Sequence, residues 1–171
     1  MRKCKKGFLK SYLQYHEDTE VPEYFALWCG VLAISASLGR KCVIEFRPMV
    51  YPNLYVVLVA ESGHCRKSTA IGICEKLLLE LETPVKLFAQ KGTPVGLIQS
   101  LKETETDDKG NLIHHGAQGA IIADELSTLI DRQAYTNGMI SMLTTLWDAK
   151  DVPFTYNTAG RGKEVIKNTC V

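Results

Sequence analysis

The stretch Glu61-Ser62-Gly63-His64-Cys65-Arg66-Lys67-Ser68-Thr69 sets a glycine, a lysine and three hydroxyl side chains between an apolar run and an amphipathic one. Such a loop suits phosphate. Backbone N–H groups curl around the phosphate, a lysine reaches the β- and γ-phosphates of a nucleotide, and a Ser or Thr hydroxyl ligates Mg²⁺. Lys67 and Ser68 are the candidates for those last two roles, while Ser62, Gly63, His64, Cys65, Arg66 and Thr69 complete the cradle. A helix starting at Lys67 adds its partial positive charge and free N–H groups. The pattern matches the end of a Walker A loop, with Glu61 and Arg66 standing where glycine is usual. If either position needs a left-handed backbone, a side chain there costs roughly 1 kcal/mol or more. Arg66 could offset that strain by facing phosphate, whereas Glu61 would have to point away. Taken alone, the stretch is equally compatible with a strand–turn–helix junction that binds no nucleotide.

A second element changes the balance. Ala120-Ile121-Ile122-Ala123-Asp124-Glu125 is an apolar run ending in two carboxylates, about one βαβ unit and a loop downstream. It reads as a Walker B strand, in which Asp124 joins Ser68 in holding Mg²⁺ and Glu125 polarises the attacking water. Lys67 and Glu125 are then the catalytic candidates. Strands ending in Asp-Glu are common as plain solvated ends, but the two elements together, in this order and context, favour nucleotide hydrolysis.

The elements that must position these residues alternate. Phe8, Leu9, Tyr12, Leu13 and Tyr15 recur at helical spacing, and a second helix is predicted from Pro22, apolar nearly all round, ending at Gly39. Residues 1–50 thus form a helical cap region, which also includes a short strand over Cys42 to Phe46. The core, residues 51–171, opens with Leu54 to Ala60, an uncharged run expected to be a parallel strand covered on both faces. A helix follows from Lys67, with Ile71, Cys74, Leu77, Leu78 and Leu81 on one face. A strand over Val85 to Ala89 and a helix begun by Thr93-Pro94, burying Val95, Leu97, Ile98 and Leu101, repeat the pattern. Thr104 to Gln118 is predicted to be a polar surface loop, Gly119 to Ala123 a strand, and Gly138 to Trp147 a helix. Phe154 to Thr158 and Glu164 to Ile166 flank Ala159-Gly160-Arg161-Gly162-Lys163, a β-hairpin with a basic tip. The implied fold class is α/β with a mainly parallel sheet, whose ligand edge lies after the strands.

Composition bounds the function without naming it. The chain has 171 residues, 46% of them hydrophobic, enough for one substantial core. Its 20 basic and 19 acidic side chains give a net charge of +1, so any nucleic-acid surface must be local. Arg2, Lys3, Lys5, Lys6 and Lys10 form the one dense basic cluster and read as a solvated terminus. Ala26 to Leu38 is too short to span a bilayer and reads as a buried helix, so no membrane partner is expected and the location is expected to be cytoplasmic. The six cysteines contain no Cys-x-x-Cys pair, and reduced thiols without a zinc site are expected.

The stretches Pro52-Asn53-Leu54-Tyr55-Val56-Val57-Leu58-Val59, Arg66-Lys67-Ser68-Thr69, Ile122-Ala123-Asp124-Glu125-Leu126 and Leu146-Trp147-Asp148-Ala149 resemble a family of P-loop ATPases from phages, plasmids and bacteria. Members often accompany primase-polymerase domains and are regarded as helicase-like replication proteins. The resemblance covers nearly the whole chain, including Leu38-Gly39-Arg40, and an Arg-Lys-Ser ending looks like a tolerated variant of its loop. It implies a P-loop NTPase core, ATP and Mg²⁺, single-stranded or duplex DNA, a homo-oligomeric ring, a primase-polymerase partner, and a bacterial or phage-infected cell. Arg161 and Lys163 would then touch nucleic acid, although a glycine-rich turn with solvated charges accounts for them as well. Asn168 to Val171 begins a further strand, so the core is expected to be incomplete at its C-terminus, with no sensor residue or arginine finger assignable. Competing readings are a nucleotide- or DNA-binding module without turnover and another P-loop enzyme, such as a packaging ATPase. A small-molecule kinase is disfavoured because no arginine-rich lid is evident.

Overall fold

A computed structural model describes residues 7–61, 65–82, 85–88, 94–102, 105–106, 112–114, 117–130, 138–150, 153–158 and 162–171. Two helices begin it, α1 (Phe8–His16) and α2 (Glu23–Leu38), followed by a 3₁₀ turn over Gly39–Lys41. Pro22 caps α2 with φ −57°, the value its ring imposes, and Gly39 ends it at φ 47°. The two helices approach closely at Gly30, where a Cβ would lie 2.8 Å from Leu9 Cδ1 and 2.9 Å from Tyr12 Cδ1. Of α2, Phe25, Ala26, Cys29 and Ala33 are buried, but Tyr24, Trp28 and Ile34 are exposed, so its apolar surface is not buried all round as expected. Among the described residues no helix is long and apolar enough to cross a membrane.

The centre is a short parallel pair, β1 (Leu87–Phe88) with β4 (Ala120–Ile121), in the register Leu87 to Ala120 and Phe88 to Ile121. Side chains of a strand alternate between faces, and the core divides accordingly. Ala120 and Ile122 pack with α1, α2 and α3 (Lys67–Leu79) in one cluster, which includes Tyr12, Phe25, Cys29, Cys74 and Leu78. Phe88 and Ile121 pack on the other face with α4 (Pro94–Lys102) and α6 (Met139–Trp147), where Ile98, Leu101 and Leu146 are fully enclosed. Helices on both faces of a parallel pair make the protein α/β, as the alternation of elements predicts. Among the described residues, ladder pairing in parallel is confined to β1 and β4, and the other two pairs are antiparallel.

Three regions differ from the sequence expectations. Cys42 to Phe46 is no strand, for only Ile44 bridges Val50. Leu54 to Ala60 is in no described ladder and is not covered on both faces: Tyr55, Val57 and Val59 are exposed, while Leu58 and Ala60 pack on the first cluster. The polar stretch expected as a loop contains an antiparallel pair, β2 (Glu105–Thr106) with β3 (Leu112–His114). Its Gly110-Asn111 and paired aspartates are hairpin-turn chemistry as much as loop chemistry. The hairpin near the C-terminus pairs β5 (Phe154–Thr158) with β6 (Gly162–Ile166), and β6 takes in Gly162 and Lys163, which the sequence reading placed in the tip.

Candidate functional site

Lys67 is the first residue of α3, and its Nζ donates to the carbonyl oxygens of Ala60 at 2.6 Å and Glu61 at 3.3 Å. The lysine therefore bends back over the loop that precedes it. Arg66, the N-cap, sits in the left-handed region at φ 42°, ψ 40°, the backbone that makes glycine the usual residue in such loops. Its Nε donates to Glu20 Oε2 in the turn between α1 and α2. Both side chains are largely exposed, so this ion pair contributes at most about 1 kcal/mol. Arg66 thus faces a carboxylate of the cap region, where its place in the loop suggests phosphate.

Ser68 and Thr69 are exposed in the first turn of α3. That turn has no acidic residue, and the Arg66 side chain at its N-cap makes no capping hydrogen bond. The leading amides of a helix lack intrahelical acceptors, so this end presents donors and partial positive charge to an anion. Cys65 is half-buried and packs against the first core cluster. Ser62, Gly63 and His64 lie outside the described residues.

Across from Lys67, β4 runs into Asp124. Both line a cavity of about 150 Å³, with Val56, Leu58, Ile71 and Ile122 among its apolar walls. The two charged residues, 57 positions apart in the chain, are thereby brought to one space. Glu125 is not among that cavity's lining residues. It is exposed at the N-cap of α5 (Leu126–Leu129), where its Oε2 accepts a hydrogen bond from Ser127 Oγ at 3.2 Å.

No group of three or more His, Cys, Asp or Glu side chains among the described residues is placed to hold a metal. Mg²⁺ at a nucleotide does not need one, since it is commonly held by one or two protein oxygens, water and the phosphates themselves. The Asp124 carboxylate lining the cavity is a hard oxygen donor of the kind such an ion takes, the Ser68 hydroxyl is another but is not among the cavity's lining residues, and the helix end suits the phosphates that accompany the ion.

Lys163 is exposed on β6 opposite Asn157, while Arg161 lies outside the described residues. Two positions given no role in the sequence reading prove structurally important. Glu20 holds Arg66, a contact spanning 46 residues that no local pattern announces. Arg40 Nη1 donates to the carbonyls of Ala149 at 3.0 Å and Thr169 at 3.1 Å, and its guanidinium lies 3.7 Å from the centre of the Tyr51 ring. Its backbone N–H also donates to Gln118 Oε1 at 3.1 Å.

Comparison with protein-family profiles, with curated proteins and with solved structures found no significant match to the chain.

Proposed function

We propose that the chain binds ATP with Mg²⁺ and hydrolyses it, as the motor domain of a helicase-like replication protein. The observation that carries this reading is the meeting of Lys67 and Asp124 at one cavity, beside the N-terminus of α3. Lys67 exchanges the carbonyls of Ala60 and Glu61 for β- and γ-phosphate oxygens. Ser68 and Asp124 would hold the metal, which would offset charge on those oxygens. Glu125 orients a water toward the γ-phosphorus and takes its proton as the bond to the β-phosphate oxygen breaks. Single-stranded or duplex DNA, contacted through Arg161 and Lys163, a homo-oligomeric ring and a primase-polymerase partner belong to the same proposal. They rest on the resemblance in sequence.

One observation favours a second reading, nucleotide binding without turnover. Glu125 is engaged by Ser127 and does not line the cavity that Lys67 and Asp124 share. Titration of the chain with ATP in the presence and absence of Mg²⁺, followed by phosphate release with and without single-stranded DNA, separates the readings. Metal-dependent binding with DNA-stimulated release supports the motor. Binding without release supports the second reading, and no binding at millimolar ATP removes both.

A further inference from the structure

Two surfaces of the chain, both away from Lys67 and Asp124, complement each other. The first is an arm. After the 3₁₀ turn the chain doubles back, the Ile44 N–H donating to Val50 O at 2.9 Å and the Val50 N–H to Ile44 O at 3.1 Å. Its base is fixed, for the Arg40 guanidinium lies 3.7 Å from the centre of the Tyr51 ring and Ser35 Oγ donates to Pro52 O. Every residue from 41 to 50 is nevertheless exposed. Ile44 and Phe46 show 67% and 69% of their surface to solvent, with Val43, Met49 and Val50 exposed beside them. Large apolar side chains gathered in water mark an interaction surface. The charges among them are Lys41 and Arg47 against Glu45, so the arm is basic.

The second surface is a pocket at the other end of α2. Leu13, Val21 and Ala26 wall a cavity of about 300 Å³ in the angle between α1 and α2, with His16, Glu17 and Glu23 completing its lining. A cavity of about 150 Å³ already holds a benzene ring. His16 is 4% exposed, and neither of its ring nitrogens has a hydrogen-bond partner among the described residues. Glu17 and Glu23 are exposed, as is Asp18 in the same turn, and residues 11–39 contain no lysine or arginine. Apolar walls with an acidic rim therefore match an apolar arm with basic flanks. Phe46 does not sit in the pocket of its own chain, since it is exposed, and α2, 16 residues and about 24 Å long, lies between the two surfaces.

We infer that the arm of one copy docks in the pocket of a second copy of this chain, Phe46 entering between Leu13, Val21 and Ala26 while Arg47 faces Glu17 and Glu23. The giving and receiving surfaces differ, so the contact runs head to tail and each copy can give one arm and receive another. The inference deepens the homo-oligomeric part of the reading above and rests on that part alone.

The test reverses charge on each surface in the full chain and follows association by sedimentation velocity. Arg47→Glu and the pair Glu17→Lys with Glu23→Lys, all at exposed positions, should each weaken self-association by about tenfold or more, because like charges then meet. An equimolar mixture of the two variants should associate again, as should one chain carrying all three changes, since opposite charges face each other once more. A merely structural role for these residues gives no such recovery. Phe46→Ser, which alters an exposed side chain outside both core clusters, should weaken association without lowering the urea midpoint. A wild-type chain that stays monomeric at roughly 1 mM overturns the inference. So do reversed variants that associate like the wild type, or a mixture that does not recover. Protection of amides 44–50 that requires oligodeoxythymidine or phosphatidylglycerol vesicles, in a chain that stays monomeric, overturns it by giving the arm to nucleic acid or to lipid. ATP titration of the same proteins keeps the two readings apart. Failed recovery with ATP binding intact rejects the contact alone, and recovery without ATP binding rejects the nucleotide reading alone.

Discussion

Lys67 is held by Ala60, its Nζ 2.6 Å from a carbonyl oxygen seven residues earlier in the chain. An ammonium has three donors and no acceptor, so the loop's own carbonyls occupy a group that phosphate would otherwise attract. Phosphate binding must therefore break these hydrogen bonds, and the gain comes from exchanging neutral acceptors for charged ones. Lys67→Ala should weaken ATP affinity by about a hundredfold, the scale of one charge-assisted hydrogen bond, as measured by calorimetric titration. Equal affinity in the two proteins would remove the basis of the nucleotide reading.

Glu125 is expected to act after binding. Glu125→Gln keeps size and hydrogen-bonding capacity while removing the base, so ATP affinity should stay within about twofold and phosphate release should fall by about a hundredfold. Single-turnover measurements distinguish the two effects. Unchanged turnover would assign Glu125 to capping α5 beside Ser127.

The basic residues near the end of the β5–β6 hairpin are tested by salt. Ion pairing with phosphate releases counterions, so replacing Arg161 and Lys163 together by alanine should flatten the dependence of log affinity for single-stranded DNA on log salt. The expected change is about 0.7 for each phosphate no longer neutralised. A slope identical to that of the unsubstituted chain, with ATP binding intact, leaves both residues as solvated charges.

His16 makes stability depend on pH. Its side chain is buried against Tyr12, ring centres 4.8 Å apart, and neither ring nitrogen has a hydrogen-bond partner among the described residues. Burial lowers its pKa below the ordinary 6.5. The unfolded chain thus binds a proton that the folded one refuses. Stability contributed by neutral His16 is complete above pH 6.5 and declines as pH falls through that value toward the folded pKa. Urea midpoints taken between about pH 7 and pH 5 should fall for the native chain and fall less for His16→Phe. Parallel declines would place the acid sensitivity elsewhere.

At the seam of β1 and β4, a Cβ on Gly119 would lie 2.3 Å from Lys86 O. Backbone cannot yield there as a flexible side chain could, and the adjacent Ala120-to-Lys86 hydrogen bond fixes the approach. Gly119→Ala should cost about 3 kcal/mol in unfolding free energy, read from urea denaturation. A loss below about 0.5 kcal/mol would mean the strands separate freely.

The helices were legible because their signals are local. Pro22 and Gly39 bracket α2, and Ile71, Cys74 and Leu78 recur on one face of α3. The hairpin of β5 and β6 was equally plain, its two runs lying only a few residues apart in the sequence. Leu54 to Ala60 misled because an uncharged β-branched run signals burial without saying which neighbours supply it. Its exposed Tyr55, Val57 and Val59 follow from partners that a sequence pattern does not contain. At the candidate site, residue types and order pointed to Lys67 and Asp124, which the fold brings to one cavity. The direction taken by Arg66 was hidden, since Glu20 belongs to another element and obeys no spacing rule.

Arg40 has a consequence for the order of events during synthesis. Its guanidinium meets carbonyls 109 and 129 residues further along the chain, in Ala149 and Thr169. Helices α1 and α2 precede the rest of the described chain out of the ribosome and can pair with each other at once, for their contacts are near in sequence. The Arg40 contacts must wait until Thr169 has emerged, about ten seconds or more later at ordinary elongation rates. Until α3 and β4 follow, Phe25, Cys29 and Ala33, which the folded chain buries, lack part of the cluster that covers them. The cap helices therefore depend on protection while the chain is being made.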